Sequence, residues 1–133
     1  MRILIYLEML INMGKSIKEI SQRISEFCKA RDWKHSSPTG LLTATYIELG
    51  ELAEHYQWQK EFSKFSEKEK KEIAYEFVDV LWYLLRLAEK SGIDIEEAFE
   101  EKIPKLEKKF PIGSNPKKQH ELYRKNGKNK IYE

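Results

Sequence analysis

Acidic residues at helical spacing carry the strongest chemical signal in this chain. Glu48 and Glu51 stand three positions apart, with Glu54 a further three on; after an interval of twenty-four residues beyond Glu51, Glu76 and Asp79 repeat the spacing. Side chains three positions apart on a helix lie on neighbouring turns of one face. Asp79 falls inside Phe77-Val78-Asp79-Val80-Leu81-Trp82-Tyr83-Leu84-Leu85, a stretch whose apolar residues cover every side of a helix. A carboxylate in such surroundings must be paired, hydrogen-bonded, neutralised or bound to a metal. If the two acid-bearing helices run antiparallel, Glu48, Glu51, Glu76 and Asp79 converge. Four like charges in one poorly solvated place repel unless cations sit among them. All-oxygen ligation selects a hard ion, Mg²⁺ or Mn²⁺, and Mg²⁺ commonly completes its shell with substrate phosphates. The pattern therefore predicts metal-dependent phosphate chemistry.

Other chemistries find little support. Di-iron carboxylate bundles need Glu-x-x-His pairs, whereas His55 has Leu52 three residues before it and the second acid-bearing helix has no histidine. Cys28, His35, His55 and His120 lack zinc-ligand spacing. Walker-type glycine loops, GxSxG elbows and CxxC pairs do not occur. One unpartnered cysteine excludes a disulfide scaffold and fits a reducing compartment.

The elements that must hold these acids read as helices. The chain has 133 residues, 41% hydrophobic and 35% charged, with only 6 Gly and 4 Pro. Such a composition suits one all-α domain of long solvated helices rather than a sandwich of tight turns. A first helix runs from about Ser16 to Arg31, its Ile17, Ile20, Ile24 and Phe27 forming one stripe. After the breaker Ser36-Ser37-Pro38, a second runs from about Thr39 to Trp58. Ser66 with Glu69 makes a capping box for a third, ending at Lys90 before Ser91-Gly92. A fourth continues toward Phe110, with an interruption or kink expected at Pro104, and an extended tail is expected after Pro111. The expected architecture is a four-helix-type bundle. Gly50, unfavourable inside a helix, suggests a close approach by a neighbouring helix. Residues 1–15 read as an N-terminal extension, 16–111 as the domain and 112–133 as a basic tail.

Charge is uneven along the chain. Ten Lys/Arg face three Glu from Lys102 to Glu133, while the rest is net acidic and the total is +2. A basic tail suits nucleic acid, a solvated terminus, or the phosphates of a small molecule. The apolar run at residues 3–11 is interrupted by Glu8 and too short to span a bilayer, so a cytoplasmic protein is expected.

Around the acids the text is more specific. Glu48-Leu49-Gly50-Glu51 and Glu76-Phe77-Val78-Asp79 stand within IELGELAEHYQW at 47–58 and EFVDVLWYLLRLAEKSGIDIEEA at 76–98, with ARDW at 30–33. Over about residues 16–111 this resembles the MazG-like, all-α nucleoside triphosphate pyrophosphohydrolases, most of all the dCTP pyrophosphatase branch. The resemblance implies hydrolysis between the α and β phosphates, yielding monophosphate and pyrophosphate. It implies Glu48, Glu51, Glu76 and Asp79 as Mg²⁺ ligands, with Glu54 as a further ligand or base. It places Trp33, Trp58 and Tyr83 at the nucleobase, His35 near substrate, and Lys109, from Lys108-Lys109-Phe110-Pro111, at the phosphates. Assembly as a homodimer or homotetramer is implied, which suits the all-round apolar third helix. A non-catalytic helical oligomer binding nucleic acid or proteins through the basic tail is the alternative, though nucleic acid is the less expected partner.

Overall fold

A computed structural model describes Leu4 and residues 16–34 and 37–126. The chain runs through α1 (Ile17–Ala30), α2 (Pro38–Tyr56), a single 3₁₀ turn (Phe62–Lys64), α3 (Glu67–Lys90), α4 (Ile95–Lys109) and α5 (Pro116–Asn126). No strand occurs among the described residues.

Local chemistry sets the boundaries. Ser16 Oγ accepts from the Glu19 amide at 3.1 Å, and Ser37 Oγ accepts from Gly40 at 3.1 Å, with Pro38 at the first position of α2. Both bonds satisfy amides that a helix start leaves without intrahelical partners. At α3 the reciprocal capping box is complete: Ser66 Oγ accepts from Glu69 N at 3.2 Å, and Glu69 Oε2 accepts from Ser66 N at 2.6 Å. These contacts hold the Glu69 carboxyl below its ordinary pKa.

The C-terminal ends of α1 and α3 share a construction. Trp33 N–H donates to Cys28 O at 2.9 Å and Asp32 N–H to Lys29 O at 3.1 Å; Ile93 N–H donates to Ala88 O at 2.9 Å and Gly92 N–H to Glu89 O at 3.0 Å. Both are Schellman closures, which require a left-handed residue. Gly92 adopts it at φ +69°, and Asp32 adopts it at φ +51° without glycine's freedom.

Two compact units divide the chain, residues 1–94 and 95–133. In the first, α2 and α1 each pack along α3, burying Ile24 and Cys28 from α1, Leu41 and Leu52 from α2, and Ile73 and Leu85 from α3. Phe27 meets the Trp82 ring edge-on at 5.2 Å, and Tyr56 meets Phe65 at 5.3 Å. α4, expected as the fourth member of the bundle, belongs to the second unit, and it continues through Pro104 to Lys109. The extended tail expected after Pro111 is partly helix. Asn115 Oδ1 accepts from the Lys117 and Lys118 amides at 3.0 and 3.3 Å, and Pro116 opens α5, so an Asn-Pro start signal outweighs the charge of the segment. The N-terminal extension, His35 and residues 127–133 lie outside the described residues, apart from Leu4.

Two further expectations meet a different result. A Cβ at Gly50 would touch nothing within 4 Å, so no neighbouring helix among the described residues approaches it. On the all-apolar α3, Tyr75, Phe77, Val78 and Leu84 are exposed, as are Leu42, Tyr46, Ile47 and Leu49 on α2. The described residues do not cover these faces.

Candidate metal centre

The buried side of α2 is a seam at alternating intervals of four and three: Leu41, Thr45, Glu48, Leu52 and His55. Its apolar members pack inward, and Thr45 Oγ1 donates to Leu41 O at 2.8 Å. That seam carries Glu48 against α3. There, Ile73 is buried, Glu76 follows one turn on and is half-buried, and Asp79 stands another turn along at the exposed edge. Tyr56 lies near the start of α3 while Glu48 meets Glu76 and Asp79, so the pairing is antiparallel, as the short connector predicts.

Glu48, Glu76 and Asp79 each offer a carboxylate oxygen within 4.8 Å of the other two. At that separation each pair of ionised carboxylates repels by roughly 1–3 kcal/mol, between bulk-water and near-surface screening. The response appears at Glu48, whose carboxyl is pushed above its ordinary pKa by desolvation first, then by Glu51, Asp79 and Glu76. Glu51, the fourth predicted carboxylate, is exposed on α2 and lies outside the triad, close enough to Glu48 for its charge to raise that carboxyl. Glu54 is exposed and, three residues beyond Glu51, turns farther from the seam.

Glu76 has the most informative surroundings. Its Oε2 is buried with no hydrogen-bond partner, and its Oε1 stands 3.7 Å from His55 Nε2. A buried carboxylate oxygen without a donor is costly. With Glu48 and Asp79 offering oxygens within 4.8 Å, the cluster suits a divalent cation, and an oxygen-only set suits a hard one. The residues present therefore fit a divalent ion. His55 was not among the site residues expected from sequence; its position seven residues after Glu48, on one α2 face, was the available signal.

The other expected site residues are dispersed. Trp33 is exposed and rests edge-on against Phe27, with ring centres 5.6 Å apart. Trp58, 84% exposed, follows the end of α2. Tyr83 is half-buried on α3, one turn beyond Asp79. Lys109 ends α4 in the second unit, its ammonium 4.7 Å from the Phe110 ring centre.

Among the described residues the fold is all-helical, and its antiparallel α2–α3 pair concentrates carboxylates in an arrangement suited to a hard divalent ion. Comparison with known proteins identifies the class: a model of the MazG-like family matches residues 43–124, and the chain belongs to this family. Its relatives place it with the dCTP pyrophosphatase branch. It is 31% identical over 102 residues to dCTP pyrophosphatase 1 of Mus musculus and 32% identical over 101 residues to that of Homo sapiens. These alignments take in 73% and 72% of this chain but only 60% and 59% of those proteins. The chain thus spans about three-fifths of the length of the curated relatives it matches. Among solved structures it is similar to a pyrophosphatase from Archaeoglobus fulgidus DSM 4304, at 34% identity and a TM-score of 0.62. That match covers 71% of this chain and 92% of the archaeal one. No helix among the described residues is long and apolar enough to cross a membrane.

Proposed function

We propose that the protein is a Mg²⁺-dependent nucleoside triphosphate pyrophosphohydrolase. It splits a deoxynucleoside triphosphate, of the dCTP type or a noncanonical one, into monophosphate and pyrophosphate. The observation that carries this reading is the cluster of Glu48, Glu76 and Asp79 carboxylate oxygens, beside which Glu76 also buries an oxygen without a donor. Membership in the MazG-like family and the printed activity of the mouse and human relatives support the substrate class.

Glu48, Glu76 and Asp79 would hold the cation, with Glu51 adjoining Glu48 as the fourth carboxylate. A bound divalent ion neutralises triphosphate charge and lowers the pKa of attacking water. The chain's own part is positioning. The α2–α3 seam fixes Glu48 and Glu76 on rigid helices, and His55 stands beside Glu76 Oε1. Glu54, a further acid within the same α2 turns, is assigned as an additional ligand or as the base for the attacking water. Water attacks phosphorus, the bond to the bridging oxygen breaks, and pyrophosphate leaves.

Tyr75, Phe77, Val78 and Leu84 on α3, with Tyr46 and Ile47 on α2, are the apolar surface we assign to a second copy of the chain. A cytoplasmic location accords with the lone, reduced Cys28.

The test is purified protein with a panel of nucleoside triphosphates, Mg²⁺ or chelator, and chromatographic separation of products, with light scattering for the assembly. Monophosphate and pyrophosphate in equal amounts, only with metal, is the expected result. Absence of turnover on every triphosphate by folded protein contradicts the reading.

A further inference from the structure

Phe27 belongs to the apolar stripe of α1, yet it is 38% exposed and does not sit in the core. Its ring is instead a meeting point for three other side chains. Trp33 and Trp82 both meet it edge-on, with ring centres 5.6 and 5.2 Å away. The Arg31 guanidinium lies over it at 3.4 Å from the ring centre and donates to Phe27 O at 3.1 Å. Edge-to-face rings and a cation on a ring face are both arrangements that the aromatic quadrupole favours. Trp82 is half-buried on α3, three residues beyond Asp79 and next to Tyr83. One phenyl ring thus connects Trp33, past the end of α1, to the helix that carries two of the clustered acids.

The backbone delivers Trp33 to that ring by an uncommon route. Asp32 is left-handed at φ +51°, Trp33 N–H donates back to Cys28 O at 2.9 Å, and Lys34 N–H donates to Asp32 O at 3.0 Å. Glycine, asparagine and aspartate tolerate this conformation, whereas β-branched residues oppose it. A residue held there by its surroundings is a reason to ask what the turn positions. What it positions is the indole, which stays 55% exposed and so keeps more than half of its surface open to a ligand.

We propose that Phe27 is a positioning residue for nucleobase binding: together with the left-handed turn at Asp32, it fixes the Trp33 ring relative to α3. The inference rests on the proposed hydrolysis and on the base-stacking role expected of Trp33; Phe27 acts only through that ring. A platform already oriented costs little ordering when substrate arrives, while a loose one must be ordered at the expense of affinity. That cost weakens substrate binding and leaves the chemical step alone, so it enters KM and not kcat. A triphosphate without a base escapes it.

Steady-state kinetics with a deoxynucleoside triphosphate and Mg²⁺, alongside inhibition by inorganic tripolyphosphate, test the role. Phe27→Leu keeps an apolar side chain but loses the ring edge contacts. It should raise KM about threefold to tenfold with kcat within about twofold, and leave tripolyphosphate inhibition unchanged. Asp32→Val should act in the same direction, because its β-branched side chain opposes the turn. Asp32→Gly should match wild type, since it keeps the turn without the carboxylate. In Trp33→Ala the platform is gone, so adding Phe27→Leu or Asp32→Val should change KM by less than about twofold. The Asp32 variants carry the same test if Phe27→Leu does not fold. Hydrolysis by the wild-type chain tests the proposed function itself. With that turnover present, four results overturn the role of Phe27 alone: Phe27→Leu or Trp33→Ala with wild-type KM, Asp32→Gly as impaired as Asp32→Val, full additivity with Trp33→Ala, or tripolyphosphate inhibition weakened as much as KM is raised.

Discussion

The two ends of the functional stretch of α3 invite comparison, because one helix holds opposite charges in opposite states of completion. Toward its middle, Glu76 and Asp79 meet Glu48 and accumulate negative charge. Two turns on, Arg86 and Lys90 join Lys29 and Lys34 around a cavity. At the basic end the charge is anchored from within, since Glu89 ties Arg86 and Ser25 together. At the acidic end no comparable donor reaches Glu76 Oε2. At the acidic end three carboxylates gather like charge, whereas at the basic end Glu89 sets an opposite charge against Arg86.

Mutations can break or sharpen that contrast. The largest effect is expected from Asp79→Ala. Even partners behind a metal's direct ligands cost about 10–100-fold, so loss of a direct ligand should lower triphosphate hydrolysis by at least about a hundredfold. Activity near wild type would remove Asp79 from the site.

A smaller loss is expected at His55, which stands beside one oxygen of Glu76 without joining the acid cluster. His55→Ala should raise the Mg²⁺ concentration needed for half-maximal rate by about tenfold, and His55→Gln should restore part of it. An unchanged Mg²⁺ activation curve would make His55 a packing residue only.

Glu48→Gln separates stability from activity. The folded Glu48 carboxyl titrates above its unfolded value, so folding takes up protons there and stability falls as pH rises through that interval. In chelator at neutral pH, Glu48→Gln should therefore raise Tm while abolishing turnover, and the Tm gain should disappear below about pH 3, where the carboxyl is neutral in both the folded and the unfolded chain. Glu69 runs oppositely: its lowered carboxyl stabilises above the unfolded value, and that contribution is lost as pH falls through the folded one. A lower Tm for Glu48→Gln at neutral pH would show that the acids do not repel.

The smallest effect tests the open space at Gly50. A Cβ there meets no neighbouring element among the described residues, so Gly50→Ala should stabilise by up to about 1 kcal/mol in denaturant melts. A loss instead would place a second copy of the chain against that turn.

Much of this was legible in the sequence where a local period does the work. Three-residue spacing marked Glu48, Glu51, Glu76 and Asp79, and the Ser66–Glu69 box marked the start of α3, because helix geometry converts spacing directly into position. The rest depends on what packing does to a helix afterwards. A glycine on an exposed turn reads the same as one beneath a neighbour, so Gly50 misled. The cavity joins Ser25 to Glu89 across 64 residues, and its wall relies on an aspartate in a glycine conformation; neither has a local signature. Asn115-Pro116 did carry a start signal, but lysine density drew attention to charge instead.

The central claim is that α2 and α3 bring carboxylates together around a divalent ion. Anomalous diffraction from crystals grown with Mn²⁺ and a triphosphate whose α–β bridge resists hydrolysis tests it most directly. A manganese peak bonded to oxygens of Glu48, Glu76 and Asp79, with phosphate oxygens completing the shell, is the predicted result. Density for the nucleotide with no manganese at those three side chains would contradict the account.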